Sequence, residues 1–173
     1  WMSFPLYYAL DGAEPPPRAG AAHATIYPYG PFVAGDGKTV MLGLQNEREW
    51  LMFCQVVLQQ PELVHDPRFT GNANRVAERG ALRQLIVEAF QPLTAPQVIQ
   101  RLEQARIANA RVNTMHEVWE HPQLKARQRW REVGSPAGML PAMLPPGSWH
   151  EEPRMDPVPA LGEHTDAIRR TRG

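Results

Sequence analysis

The chain has 173 residues, 18 basic and 18 acidic side chains for a formal net charge of zero, and a single cysteine. That length suffices for one domain burying roughly 70% of its unfolded surface. The charge balance excludes the basic excess that nucleic acid or an anionic membrane needs, and one thiol excludes an intrachain disulfide and points to a reducing, cytoplasmic setting. No apolar run reaches the ~18 residues of a membrane-spanning helix, and the opening residues lack a charged-then-apolar signal pattern. The first residue is Trp1, so the chain is expected to be processed or cut from something longer.

The segment Trp1–Ala9 is dense in aromatics and leads into Pro15-Pro16-Pro17 and Gly20. Three successive prolines favour an extended spacer, so residues 1–23 read as an arm that packs on polypeptide outside this chain. Ala24–Tyr27 and Phe32–Ala34 flank Pro28-Tyr29-Gly30-Pro31 as strand material, Gly35–Lys38 makes a turn, and Val40–Leu44 returns as an antiparallel partner. Asn46 is a good helix N-cap, and Glu49 at the third position completes a capping-box pattern. The helix is expected to reach Gln59, with Trp50, Phe53, Cys54, Val57 and Leu58 on its buried side.

A long helix is expected from Asn74 to Phe90. Thr94 with Gln97 caps another, with Pro96 in its first turn. Ile107–Val112 reads as a strand, Thr114 and Glu117 open a helix that Pro122 interrupts, and Gln123–Trp130 resumes it. Arg131–Val133 reads as a strand. Seven of the 18 prolines then fall between Gly134 and Gly162 among apolar residues such as Met139, Leu144 and Trp149. That mixture predicts an extended path laid over another surface, closed by a short helix over Thr165–Arg170. The fold class is therefore α+β: a small α/β lobe of short antiparallel strands and several helices at residues 24–115, flanked by arms at 1–23 and 116–173. Structureless stretches beyond ~12–15 residues are uncommon inside an autonomous domain, so the arms need a larger body.

The corner at Leu44-Gln45-Asn46-Glu47-Arg48-Glu49-Trp50 is the most informative local feature, because a strand running straight into a helix sets polar side chains at one spot. Together with His23–Phe32, Gly35–Lys38, Asp66-Pro67-Arg68-Phe69, Asn72, Arg75, Ala108–Thr114, His121–Leu124 and Pro159–Asp166, it resembles the class III CoA-transferases and the related α-methylacyl-CoA racemases. The motifs keep the family's order over nearly the whole chain. The resemblance implies an interlocked homodimer in which each Rossmann-like large domain combines the first half of the sequence with its last stretch, and the small domain lies between them. It also implies an acyl-CoA and a small, dicarboxylic acid as substrates, with the coenzyme A thioester as substrate rather than resident cofactor. An Asp carboxylate attacks the thioester. That Asp belongs to the family's first half, and no position here matches it, so no catalytic residue is assigned and the chain alone is expected to be inactive.

His23, Gln45, Asn46, Glu47 and Arg48 are the candidate substrate or CoA-pocket residues. Asn46 also reads as a plain N-cap, Arg48 as either a carboxylate partner or a solvated charge, and His23 as a loop histidine. Cys54, on an apolar helix face, reads as a packed thiol. His164 reads as structural. His65, His116, His121 and His150 show no metal-ligand spacing, so no metal is expected. The remaining alternatives are a racemase-like fragment and a non-catalytic interaction module.

Overall fold

In the computed structural model, which describes residues 4–147 and 152–171, the chain opens with one helical turn, Phe4–Tyr7 (α1). Trp1, Met2 and Ser3 of the aromatic opening, and Trp149 and His150, lie outside the described residues. The chain divides into two compact units, Trp1–Val112 and Asn113–Gly173. Both mix short antiparallel strands with helices.

In the first unit Tyr29–Val33 (β1), Thr39–Gly43 (β2) and Ala108–Arg111 (β3) form an antiparallel sheet in the order β1-β2-β3. The register sets Phe32 opposite Val40 and Gly30 opposite Leu42, which turns Phe32, Val40 and Leu42 to the buried face. The strand expected at Ala24–Tyr27 is not one. Pairing starts at Tyr29 and runs through Pro31, because β1 is an edge strand, where a proline costs the ladder no bond. The turn places Ala34 N–H on the Lys38 carbonyl (2.9 Å) and lets Asp36 Oδ1 accept from Lys38 N–H.

Helix Glu47–Met52 (α2) continues as a π-helical turn, Phe53–Leu58, and stops at left-handed Gln59. The single helix expected over Asn74–Phe90 is two, Asn72–Ala77 (α3) and Arg79–Phe90 (α4), broken at Glu78 beside the weak helix former Gly80. Ala95–Gln104 (α5) carries the expected Thr94–Gln97 capping box. Against the sheet, α4 sets Leu82, Ile86 and Phe90 at four-residue steps and α5 sets Val98 and Leu102. Phe53, Val57 and Phe69 close the same core, with Trp50 edge-on to Phe69 at 6.2 Å between ring centroids.

Helix α5 ends in a Schellman motif, with Ile107 N–H on the Leu102 carbonyl and Arg106 N–H on that of Glu103. Arg106 occupies the left-handed position (φ 55°) that glycine takes at no steric cost. Its side chain is exposed. Arg106→Gly is therefore expected to raise stability by about 1 kcal/mol, read as a higher urea midpoint with unchanged slope.

In the second unit, Met115–Trp119 (α6) begins with the Thr114–Glu117 capping box, and Pro122–Ala126 (α7) has its proline in the first turn. Helix does not continue to Trp130 as expected. It ends through left-handed Gln128, and Trp130 opens a strand while stacking on Trp119 at 4.2 Å. Trp130–Ser135 (β4) pairs with Gly138–Met143 (β5), so part of the proline-rich path is a hairpin, with Pro141 opposite Glu132. Val158 N–H adds to the Gly134 carbonyl at 2.8 Å. Thr165–Thr171 (α8) closes the described chain.

Large hydrophobic side chains left exposed are segregated. Among the described residues Leu6, Tyr7 and Leu10 precede residue 11, and from Val112 onward come Met115, Trp119, Met139, Leu140, Met143, Val158, Leu161 and Ile168; only Val33 and Leu51 of those described lie between. None of the described helices is long and apolar enough to cross a membrane.

Candidate functional site

The corner after β2 is built by packing first and capping second. Gly43 lies under the Tyr29 ring, where a Cβ would come within 3.1 Å of the ring carbons, and Leu44 N–H donates to the Pro28 carbonyl at 3.1 Å. The chain then leaves the sheet, and Gln45, Asn46, Glu47 and Arg48 are all exposed. Asn46 Oδ1 accepts from Glu49 N–H at 2.9 Å, as the N-cap reading expects. The return half of the box differs: Glu49 takes the Gln45 N–H at 2.8 Å through one oxygen and the Asn46 side-chain amide at 3.0 Å through the other. Asn46 thus keeps one N–H and one lone pair for a ligand. The side chains of Gln45 and Arg48 make no hydrogen bond or ion pair among the described residues.

Glu47 is committed. Its carboxylate receives two bonds from the Arg75 guanidinium, 2.9 Å from Nη1 and 2.6 Å from Nη2. Arg75 is only 3% exposed. It donates further to the carbonyls of Tyr27 (Nε, 3.1 Å) and Phe69 (Nη1, 3.1 Å), and lies over the Trp50 ring at 4.9 Å. The guanidinium hydrogen bond holds the Glu47 carboxyl below the usual carboxylate range.

His23 sits in the loop leading to β1. Its Nδ1 accepts from the N–H groups of Thr25 and Ile26, both at 3.1 Å, which assigns the ring hydrogen of the neutral imidazole to Nε2. Its own N–H donates to the Tyr29 carbonyl, and the two rings lie 5.3 Å apart. Tyr29 packs in turn on Gly43. The His23 loop and the corner therefore share one side chain as a wall, with no hydrogen bond joining His23 to residues 45–48 among those described.

The residues that hold this loop were not singled out as site residues by the sequence pattern. Asn72 clamps it from both sides, accepting from Tyr27 N–H at 3.1 Å and donating to the Thr25 carbonyl at 2.8 Å. Arg79 donates to the Ala24 carbonyl at 3.0 Å and lies over the Tyr27 ring, and Arg83 lies over Phe32 at 5.3 Å. Arg75, Arg79 and Arg83 recur every four residues, a one-face helical spacing that was available as a signal. Their aromatic partners come from distant segments and were not.

Burial pushes the Tyr27 phenol up while the neighbouring Arg83 guanidinium pulls against it, and the buried hydroxyl makes no hydrogen bond of good geometry among the described residues. Tyr27→Phe is accordingly expected to be neutral or stabilising by up to about 1 kcal/mol, since it removes a buried hydroxyl that the Arg83 guanidinium meets only in poor geometry. Loss of more than that in urea unfolding would assign the hydroxyl a bond. Cys54 is fully buried and burial pushes its thiol up to about 12, so it is a packed side chain and no nucleophile at neutral pH. No group of three His, Cys, Asp or Glu side chains converges for a metal ion among the described residues.

The model of CoA-transferase family III matches residues 1–165. The chain belongs to that family. It is 31% identical over 163 residues to a probable CoA-transferase of Mycobacterium tuberculosis, covering 93% of this chain and 20% of that protein. It is 27% identical over 169 residues to the succinyl-CoA:mesaconate CoA-transferase of Haloarcula hispanica, covering 91% of this chain and 39% of the other. Among solved structures it resembles a CaiB/BaiF family protein from Brucella suis, with a TM-score of 0.71, 28% identity, and coverage of 97% of this chain and 43% of that one. This family III chain thus spans well under half the length of these relatives.

Proposed function

We propose that the chain forms the small domain and returning segment of an acyl-CoA:carboxylate CoA-transferase, which moves CoA from a thioester to a short dicarboxylic acid in the cytoplasm. Residues 24–115 are the small domain, and 1–23 and 116–173 complete a Rossmann-like large domain of an interlocked homodimer. The observation that carries this reading is the family match over 1–165, joined to relatives of more than twice this length. The concentration of exposed large hydrophobics at the two ends supports it: ten of the fourteen among the described residues lie in 1–23 or 116–173, the stretches assigned to a large domain.

The attacking group is an Asp carboxylate outside these residues. It adds to the thioester carbonyl and expels CoA thiolate, leaving a mixed anhydride. The thiolate then attacks the Asp carbonyl and releases the first acid, giving an aspartyl-CoA thioester. The incoming carboxylate repeats the sequence in reverse, which restores the Asp and forms the new thioester. Within this scheme Gln45, Asn46 and Arg48 face the substrate with His23 across Tyr29. Glu47 enters the same wall as the partner of Arg75.

The test is CoA exchange between succinyl-CoA and a panel of dicarboxylates, using the chain alone and the chain combined with the remainder of a family III subunit. Exchange is expected only in the combination. Exchange by the chain alone would place the nucleophile within it, and α-proton exchange without CoA transfer would assign the racemase chemistry instead.

A further inference from the structure

A second cavity in the first unit takes no part in this scheme. It lies between the π-helical turn 53–58 and α5, has a volume of about 360 Å³, and is lined by five glutamines, two apolar side chains and one cation, Arg101, with no carboxylate. A solvent-facing helix surface ordinarily mixes charges of both signs. Here Gln97, Gln100 and Gln104 run along one face of α5, and Gln55 and Gln59, four residues apart, face them across the opening. Gln97 is engaged at the Thr94 cap. The amides of Gln55, Gln59, Gln100 and Gln104 have no partner among the described residues. Arg101 is half-buried and its orientation is fixed by a 3.0 Å bond from Nη1 to the Val57 carbonyl, which leaves its other N–H groups without a protein acceptor.

Two backbone departures adjoin the same cavity. The helix is π-wound from Phe53 to Leu58, and Gln59 is left-handed at φ 59°, ψ 34°. A π-helical turn of this kind is frequent at functional sites, whereas left-handed Gln59 is the ordinary stop of the helix. Gln55, the lining residue of this helix nearest the corner, lies nine residues beyond Asn46, so the cavity is separated from the strand-to-helix corner by roughly 13 Å of helix.

We propose that this cleft binds a small carboxylate that also carries hydroxyl or amide groups. A lone guanidinium in a lining free of acidic groups selects one negative charge, and its planar fork matches a carboxylate. Each free glutamine amide offers both a donor and an acceptor, which suits hydroxyls and amides and leaves a plain alkyl chain unmatched. Val56 and Leu93 supply the apolar floor under the ligand's carbon skeleton.

The probe is gluconate, titrated into the isotope-labelled 173-residue chain while amide NMR signals are followed. Saturable shifts are expected at Gln55, Gln59, Gln100 and Arg101, with those of residues 45–48 unmoved. Sorbitol (the hydroxyls without the charge), hexanoate (the charge without hydroxyls) and glycerol 3-phosphate (a different oxyanion) are each expected to bind at least about tenfold more weakly. Arg101→Gln should abolish the shifts. The exposed pair Gln100→Leu with Gln104→Leu, which leaves the Val57 anchor intact, should weaken gluconate at least about tenfold. The proposal is overturned if gluconate gives no saturable shift, if any of the three controls binds as well, or if the double variant binds like the parent. Because the readout is binding to the chain itself, its outcome is independent of whether CoA exchange is found.

Discussion

Arg75→Ala is expected to destabilise the chain by about 3 kcal/mol or more. The guanidinium is the donor to two buried carbonyls, those of Tyr27 and Phe69, and it fills the space over Trp50. Truncation strands both acceptors away from water. Its partner Glu47 is mostly solvent-exposed on the far side, so the loss comes from the buried end of the pair. Arg75→Lys keeps the charge but cannot reach both carbonyls and the carboxylate at once, and its urea midpoint should fall between those of the parent and the alanine variant. An alanine variant within about 1 kcal/mol of the parent would show that this network holds the His23 loop but not the fold. The pair also sets an acid response. The folded-state pKa of Glu47 lies below its unfolded value, so its contribution is complete above about pH 4.5 and fades as pH falls through the lowered folded value. Glu47→Gln should therefore flatten the stability profile in that acid range.

Gly35→Ala is the second large effect. A Cβ at this position would stand 1.9 Å from the Gln91 carbonyl oxygen and 3.1 Å from that of Leu93. Both obstacles are backbone, and Gly35 N–H is itself bonded to the carbonyls of Phe90 and Leu93. The β1–β2 turn cannot retreat without giving up those bonds and the one from Ala95 N–H to Asp36 Oδ2 at 3.0 Å, which caps α5 from outside. We expect a cost of about 3 kcal/mol or more. Asp36→Asn keeps the turn and weakens only that cap, so it serves as the mild control. Gly35→Ala with an unchanged melting curve would mean that the turn docks elsewhere.

The contrast between Gly35 and the helix caps shows which parts of the structure were legible in the sequence. Thr94 with Gln97, Thr114 with Glu117, and Asn46 with Glu49 satisfy backbone groups three residues away, so their spacing carries the signal by itself. The buried faces of α4 and α5 were legible for the same reason, as helical repeats. What was not legible depends on partners distant in sequence. The start of β1 at Tyr29 is set by pairing with Gly43, and the conversion of residues 138–143 into a strand is set by β4. At the candidate site, the N-cap role of Asn46 was readable locally. The commitment of Glu47 to Arg75, 28 residues on, was not. The anchoring of His23 Nδ1 by its own loop required knowing how that loop folds.

The segregation of the exposed hydrophobics has a practical consequence. Nearly all of that surface lies before residue 11 or after residue 111, whereas the buried side chains of the three-stranded lobe lie between. How readily the chain stays dispersed in solution is therefore governed by different residues from those that set its melting point. Polar replacements at Leu6, Tyr7, Leu161 and Ile168 would raise the concentration it tolerates while leaving the lobe's thermal transition where it was.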